Sequence, residues 1–280
     1  MEVLKSELDF YIKLALLEDS LYGDLTSEIL EINANGEFLL LAKEDFILCG
    51  ISIFERVFKF LDENIKFETY YKDGDLVKSG EIISRISGNV KSILRGERVA
   101  LNFLQKLSGI ATNTYNFVKL VEGTKVKILD TRKTTPLYRK LEKYAVKIGG
   151  GYNHRFSLFD GVLIKDNHIK VLGGIENAIK IAIKNKPFGK KIEVEISNID
   201  ELKIVLNYPI DIVMFDNFGI DMIKEAVKLI DKKLEIEVSG GVNINNVRDI
   251  ALLGVDYISI GALTHSSRWV DVSLEFNQLF

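Results

Sequence analysis

Ile192-Glu193-Val194-Glu195, Ile212-Val213-Met214-Phe215-Asp216, Leu234-Glu235-Ile236-Glu237-Val238-Ser239-Gly240-Gly241 and Tyr257-Ile258-Ser259-Ile260-Gly261 follow one another at helix-length intervals. Each is a short β-like run ending in a polar or glycine signature. Two earlier runs share the pattern: Val126 to Leu129 before Asp130-Thr131-Arg132-Lys133, and Gly161 to Ile164 before Lys165-Asp166. Strands spaced by helices mean βαβ units and a parallel sheet, whose ligands sit at the carboxyl ends of the strands. Six such units are too few for a complete eight-stranded barrel, so the expected architecture is an incomplete α/β barrel of six to seven strands. A doubly wound open sheet is the alternative. It gathers its ligand at one switch point, whereas polar groups after all six runs favour closure.

Upstream the chain reads as α+β. Leu8, Tyr11 and Ala15 share one side of an opening helix, and Asp24 or Thr26 in Gly23-Asp24-Leu25-Thr26 is placed to cap a second, short one. The runs Phe38 to Ala42, Phe46 to Cys49, Phe67 to Tyr71 and Ile82 to Ile86 read as strands, with turns at Asp73-Gly74 and Ser79-Gly80. Ile53 to Leu61 has helical spacing, which completes an antiparallel sheet with packed helices. From Leu94 the period lengthens to that of a helix through Leu101, Leu104 and Leu107, and a second helix is expected from Ile110 to Val121. Glu97 falls inside that apolar arc and Arg98 at its edge, an expensive placement unless both find partners. The expected organisation is an N-terminal α/β sandwich domain over residues 1–108, a barrel over 109–265, and a tail over 266–280 that packs back on the first domain.

Composition limits the function. Among 280 residues, 37 Lys and Arg stand against 40 Asp and Glu, a net charge of −3, too near neutral for a protein that coats nucleic acid or an anionic membrane. Apolar runs such as Phe46 to Cys49 are far shorter than a spanning helix requires, and the start, Met1-Glu2-Val3-Leu4-Lys5-Ser6-Glu7-Leu8, lacks the form of a secretory signal, so the expected compartment is the cytoplasm. Cys49 is the single cysteine and reads as a small buried hydrophobe. There is no phosphate loop of the G-x-x-x-x-G-K-[ST] kind, and Gly149-Gly150-Gly151 follows a helix, which makes it a helix C-terminus. His154, His168 and His265 lack metal-ligand spacing, and no serine sits in a nucleophile elbow.

What remains at the strand ends is a set of charges. Arg132, Lys133, His154, Arg155 and Lys165 converge on one mouth and would repel one another without a multiply charged anion, unless Asp130, Glu142 and Asp160 pair with them. Glu195 and Asp216 end the third and fourth runs, where carboxylates suit ribose hydroxyls or a hydrated Mg²⁺, or else pair with Lys165. Ser239-Gly240-Gly241 and Gly261-Ala262 let a backbone approach closely before expected helix starts, the form of a phosphate site after the last two barrel strands. The residues thus describe a barrel enzyme for a phosphosugar and a second polyanion. Lys165 as the Schiff-base lysine of a phosphosugar aldolase, or a nonenzymatic nucleotide-binding module, would account for fewer of them.

Asp130-Thr131-Arg132-Lys133-Thr134-Thr135-Pro136, Leu141 to Val146, Gly149 to Phe156, Leu163-Ile164-Lys165-Asp166-Asn167-His168 and Val255 to His265 resemble the nicotinate-nucleotide pyrophosphorylase family, the quinolinate phosphoribosyltransferases (decarboxylating). The likeness extends to Gly23 to Thr26, Glu97-Arg98 and Ser108 to Thr112. It implies transfer of phosphoribosyl from 5-phosphoribosyl 1-pyrophosphate to quinolinate, with Mg²⁺, in a homodimer or higher oligomer with shared sites. By that likeness Arg132, His154 and Arg155, with Arg98 from the partner chain, hold the quinolinate carboxylates. Thr131 joins the substrate site, and Lys133 and Lys165 lie between the two substrates. Glu195 and Asp216 serve the ribose hydroxyls and the Mg²⁺, directly or through water, and with the two lysines form the catalytic set. Ser239, Gly240, Gly241 and Gly261 bind the 5′-phosphate. Leu137, Tyr152 and Ser157 depart from the family pattern. A sister group linked to molybdenum transport shares the fold but lacks the equivalents of Asn153 and of the Lys165 to His168 run.

Overall fold

The computed structural model describes residues 5–280; the start of the N-terminal stretch, residues 1–4, lies outside them. The chain forms two compact units. The first comprises residues 1–115, 136–150 and 266–280, and the second 116–135 and 151–265.

In chain order the elements begin with α1 (Lys5–Ser20), α2 (Leu25–Ile29), β1 (Asn35–Ala42), β2 (Phe46–Ile47), α3 (Ile51–Leu61), β3 (Lys66–Thr69), β4 (Leu76–Val77), β5 (Ile82–Asn89) and α4 (Val90–Leu120). Asp24 is the N-cap of α2, its carboxylate accepting the amide protons of Thr26 and Ser27 at 3.1 and 3.2 Å. Phe38, Leu40 and Ala42 alternate inward along β1, as a half-buried strand requires. Ile53, Phe54, Val57 and Phe58 give α3 its buried face, and Asp73 Oδ1 accepts the amides of Gly50 and Ile51 at the start of that helix. Cys49 is free and buried.

One helix, α4, replaces the two expected around residue 109. Ser108-Gly109 reads locally as a breaker, yet both residues are there for contacts. Ser108 Oγ accepts the Cys49 amide and donates to the Cys49 carbonyl. A side chain at Gly109 would collide with the Arg268 carbonyl. Alanine there would gain about 1 kcal/mol in helix propensity, but overpacking of this kind costs about 1–3 kcal/mol. Gly109→Ala is therefore expected to lower the thermal midpoint measured by circular dichroism by several degrees, and a midpoint at or above that of the parent would contradict the packing argument.

The elements continue with β6 (Lys127–Leu129), α5 (Arg139–Ile148), β7 (Val162–Ile164), α6 (Asp166–Val171), α7 (Ile175–Asn185), β8 (Ile192–Ile196), α8 (Ile199–Val205), β9 (Ile212–Asp216), α9 (Ile220–Ile230), β10 (Glu235–Ser239), α10 (Val247–Ala251), β11 (Tyr257–Ser259), α11 (Ala262–His265) and β12 (Val272–Leu279). Leu137 sits at φ +65° and is exposed. Leucine carries about 1–2 kcal/mol of strain in that region.

The first unit holds a four-stranded antiparallel sheet in the order β12-β1-β5-β3. The second holds six parallel strands in the order β6-β11-β10-β9-β8-β7. The strands consecutive in sequence, β6 and β7, are thus the two edges, and the barrel stays open between them. Alternation inside the parallel strands places Leu163 with Lys165, Glu193 with Glu195, Met214 with Asp216, Glu237 with Ser239, and Ser259 with Gly261 on the same face of each strand. Val194, Val213, Phe215, Ile236 and Val238 on the other faces are buried, and α7, α8 and α9 bury apolar faces of their own. Among the described residues no helix is long and apolar enough to cross a membrane.

Candidate active site

Twelve of the thirteen residues singled out in the sequence line one cavity of about 660 Å³ in the second unit. They are Thr131, Arg132, Lys133, His154, Arg155, Lys165, Glu195, Asp216, Ser239, Gly240, Gly241 and Gly261. Arg98 is not among them: it is exposed on α4, and no ion pair of the described residues engages it. Its neighbour Glu97 is half-buried, and burial raises its carboxyl above the usual range against the opposing charge of Arg98.

The cation side is built around Asp130, fully buried at the end of β6. Its carboxylate accepts Asn153 Nδ2–H at 2.6 Å and the His154 amide at 3.0 Å, which ties the loop carrying His154 and Arg155 to the strand end. Arg155 donates from Nη1 to the Gly161 carbonyl at 3.1 Å. Burial and the nearby Arg132 charge lower the Arg155 pKa, with Glu193 opposing. Two guanidinium groups that repel each other in one cavity favour an anion between them. The stem of Lys133 passes over Gly261, where a methyl group would stand 3.0 Å from Lys133 Cδ and 3.1 Å from His265 Nε2.

On the facing strands Glu195 pairs with Lys165 through its Oε2. Asp216 ends β9 at the cavity wall and has no ion pair among the described residues. The next residue, Asn217, holds φ +56° and donates its amide to the Ser239 carbonyl at 2.9 Å. Its side-chain oxygen occupies the space a Cβ at Gly240 would need, and Gly240 itself sits at φ +82°, so glycine is required there twice over. Of the two expected helix starts, the one after Gly261 is present as α11, and the one after Gly241 is displaced. After Gly241 the chain turns through Asn243 and Asn246, whose side chains accept or donate within the turn, and α10 begins only at Val247. With α10 five residues long and α11 four, this end of the cavity is formed by loop backbone rather than by a long helix terminus.

Two residues the sequence reading passed over lie beneath the cations. Glu193 and Glu237, 6% and 1% exposed, both face His154, with Nε2 at 3.2 and 3.3 Å from their Oε2 atoms. Burial pushes the imidazole down while the two carboxylates push it up further, and burial raises the Glu193 carboxyl. Nδ1 accepts the Arg155 amide at 2.8 Å, which needs a lone pair there. The ring proton therefore lies on Nε2, toward the two carboxylates. The same three ligand atoms have the spacing of a metal site. A metal would take the Nε2 lone pair and leave a proton on Nδ1, where the Arg155 amide already points.

Fold and cavity together define a protein of the α/β-barrel class with a densely charged cavity at the carboxyl ends of its strands. The family models for the N-terminal and C-terminal domains of quinolinate phosphoribosyl transferase match residues 24–108 and 110–275. The chain is 43% identical over 259 residues to a probable nicotinate-nucleotide pyrophosphorylase (carboxylating) of Bacillus subtilis, covering 92% of this chain and 90% of that one. It is 40% identical over 293 residues to the mitochondrial quinolinate phosphoribosyltransferase (decarboxylating) 2b of Nicotiana tabacum, covering 97% and 82%. A solved structure of nicotinate-nucleotide pyrophosphorylase from Ehrlichia chaffeensis superimposes with a TM-score of 0.94 at 44% identity, over 99% of this chain and all of that one. The chain belongs to the quinolinate phosphoribosyltransferase family.

Proposed function

We propose that the chain transfers the phosphoribosyl group of 5-phosphoribosyl 1-pyrophosphate to the ring nitrogen of quinolinate, with loss of the adjacent carboxylate as CO₂, giving nicotinate mononucleotide and pyrophosphate for NAD synthesis. The observation that carries this reading is the convergence of Arg132, Arg155, Lys133 and Lys165 with Glu195 and Asp216 around one cavity that ends in the Gly240-Gly241 loop. The two arginines match a dicarboxylate, the loop amides a terminal phosphate, and the carboxylates the ribose hydroxyls.

In the reaction the pyridine nitrogen forms its bond to the ribose carbon as the bond to pyrophosphate breaks, through a cationic sugar state. Arg132 and Arg155 orient the ring, and Lys133 and Lys165 balance charge between acceptor and leaving group. No protein nucleophile is needed, because positioning and electrostatics lower the barrier. The nitrogen, once quaternary, accepts the electron pair left when the carboxylate departs as CO₂, and a proton then replaces it on the carbon. Glu195 and Asp216 offer the hard oxygen donors that suit Mg²⁺, which when bound would neutralise the pyrophosphate. Because both substrates are multiply charged and do not cross membranes unaided, the reaction is assigned to the cytoplasm. Arg98, exposed and in no ion pair among the described residues, supports a homodimer in which this residue completes the partner's site.

An acceptor screen with purified protein, phosphoribosyl pyrophosphate and Mg²⁺ tests the reading. Quinolinate should yield CO₂ and nicotinate mononucleotide in equal amounts, and a screen in which only another heterocyclic acid is consumed would refute it. Glu195→Ala and Asp216→Ala are each expected to lower kcat/KM for phosphoribosyl pyrophosphate about 10- to 100-fold while quinolinate affinity by calorimetry stays within about threefold. The reverse pattern would mean that the two carboxylates serve the acceptor instead.

A further inference from the structure

Two glutamates at interior positions of a barrel are costly. Such positions ordinarily hold branched apolar residues that fill the core. Glu193 and Glu237 are nine-tenths buried or more, and the Oε1 atom of each is buried with no hydrogen-bond partner. A buried carboxylate with an unsatisfied oxygen is destabilising unless it serves a neighbour. The neighbour both serve is His154.

We infer that Glu193 and Glu237 are positioning residues of the acceptor subsite, which hold His154 as the Nε2–H tautomer and through it aim Arg155. The geometry has three parts. Nε2–H is shared between the Oε2 atoms of Glu193 on β8 and Glu237 on β10, so the ring is fixed from two strands with β9 between them. Nδ1 then accepts the Arg155 amide, which sets the backbone from which the guanidinium departs. That guanidinium is steadied at its far end by the Gly161 carbonyl. Both ring nitrogens are thus engaged by the protein itself. His154 contributes to quinolinate binding as a rigid neutral spacer that keeps Arg155 in place, and the acceptor carboxylates fall to the guanidinium groups.

The inference rests on the quinolinate reading above, and the test separates the two. Nitrogen NMR of the full chain labelled at histidine, with His154 assigned by its loss in His154→Asn, should show the Nε2–H tautomer at neutral pH. An Nδ1–H or doubly protonated ring overturns the inference. The Glu193→Ala/Glu237→Ala double variant should bind quinolinate about 10- to 100-fold more weakly by calorimetry, the range seen when groups that orient a ligating histidine are removed. Phosphoribosyl pyrophosphate with Mg²⁺ should bind it within about threefold of wild type. Equal losses for both substrates, or none, overturn the inference. Glu193→Gln and Glu237→Gln each keep an oxygen for Nε2–H, and each should restore most of the quinolinate affinity with the tautomer intact. If the double variant does not fold, these singles decide, and loss of the tautomer in a folded glutamine variant overturns the inference. Wild-type protein that binds no quinolinate overturns the acceptor reading, and the tautomer still decides this one.

Discussion

Nicotinate is expected to be a substrate at least about a thousandfold poorer than quinolinate in kcat/KM. The cavity presents four cations, Arg132, Arg155, Lys133 and Lys165, and Lys165 is paired to Glu195. An acceptor with one carboxylate leaves a desolvated cation facing empty space. Sites built to bind a polar group reject analogues lacking it by large factors, because the protein group is then buried unpaired. Nicotinate also has no carboxylate beside the ring nitrogen to release as CO₂. Steady-state rates with the two acids at saturating phosphoribosyl pyrophosphate measure the ratio, and comparable values would remove Arg132 and Arg155 from the acceptor site.

A second large effect follows from Arg98. If it completes the partner's cavity, Arg98→Ala and Lys133→Ala are each inactive as pure homodimers but complement when mixed. Random reassociation makes half of the dimers mixed, and each mixed dimer has one site with both residues intact and one lacking both, so activity should return to roughly a quarter of wild type. Mass-tagged subunits confirm exchange. No recovery after confirmed exchange would place both residues in one chain's site or take Arg98 out of it.

The barrel was legible because a parallel sheet buries its strands on both faces and confines polar chemistry to their carboxyl ends. Arg132, Lys165, Glu195 and Asp216 could therefore be read in order, and all line the cavity. The same logic hid Glu193 and Glu237. In Ile192-Glu193-Val194-Glu195 and Glu235-Ile236-Glu237-Val238 the alternation looks like the solvent face of a half-buried strand, whereas here the alternate positions face the barrel interior. The expected start of a second helix at Ile110 failed for a related reason: local propensity records the flexibility of Gly109, not the carbonyl packed against it from a segment about 160 residues away. Asn217 carried no signal at all, since its use depends on a left-handed backbone next to Gly240.

The pairing of β12 with β1 sets an order on biosynthesis. Ala42 and Val272 are register partners about 230 residues apart, and all six barrel strands lie between them in the chain. At 5–20 residues per second, β1 waits about 10 to 50 s after leaving the ribosome before its outer partner exists. For that interval the sheet ends in an unpaired strand edge that can template pairing with another nascent chain. The late strand thus acts as a closing seal, and the nascent chain is most open to misassembly just before translation reaches it.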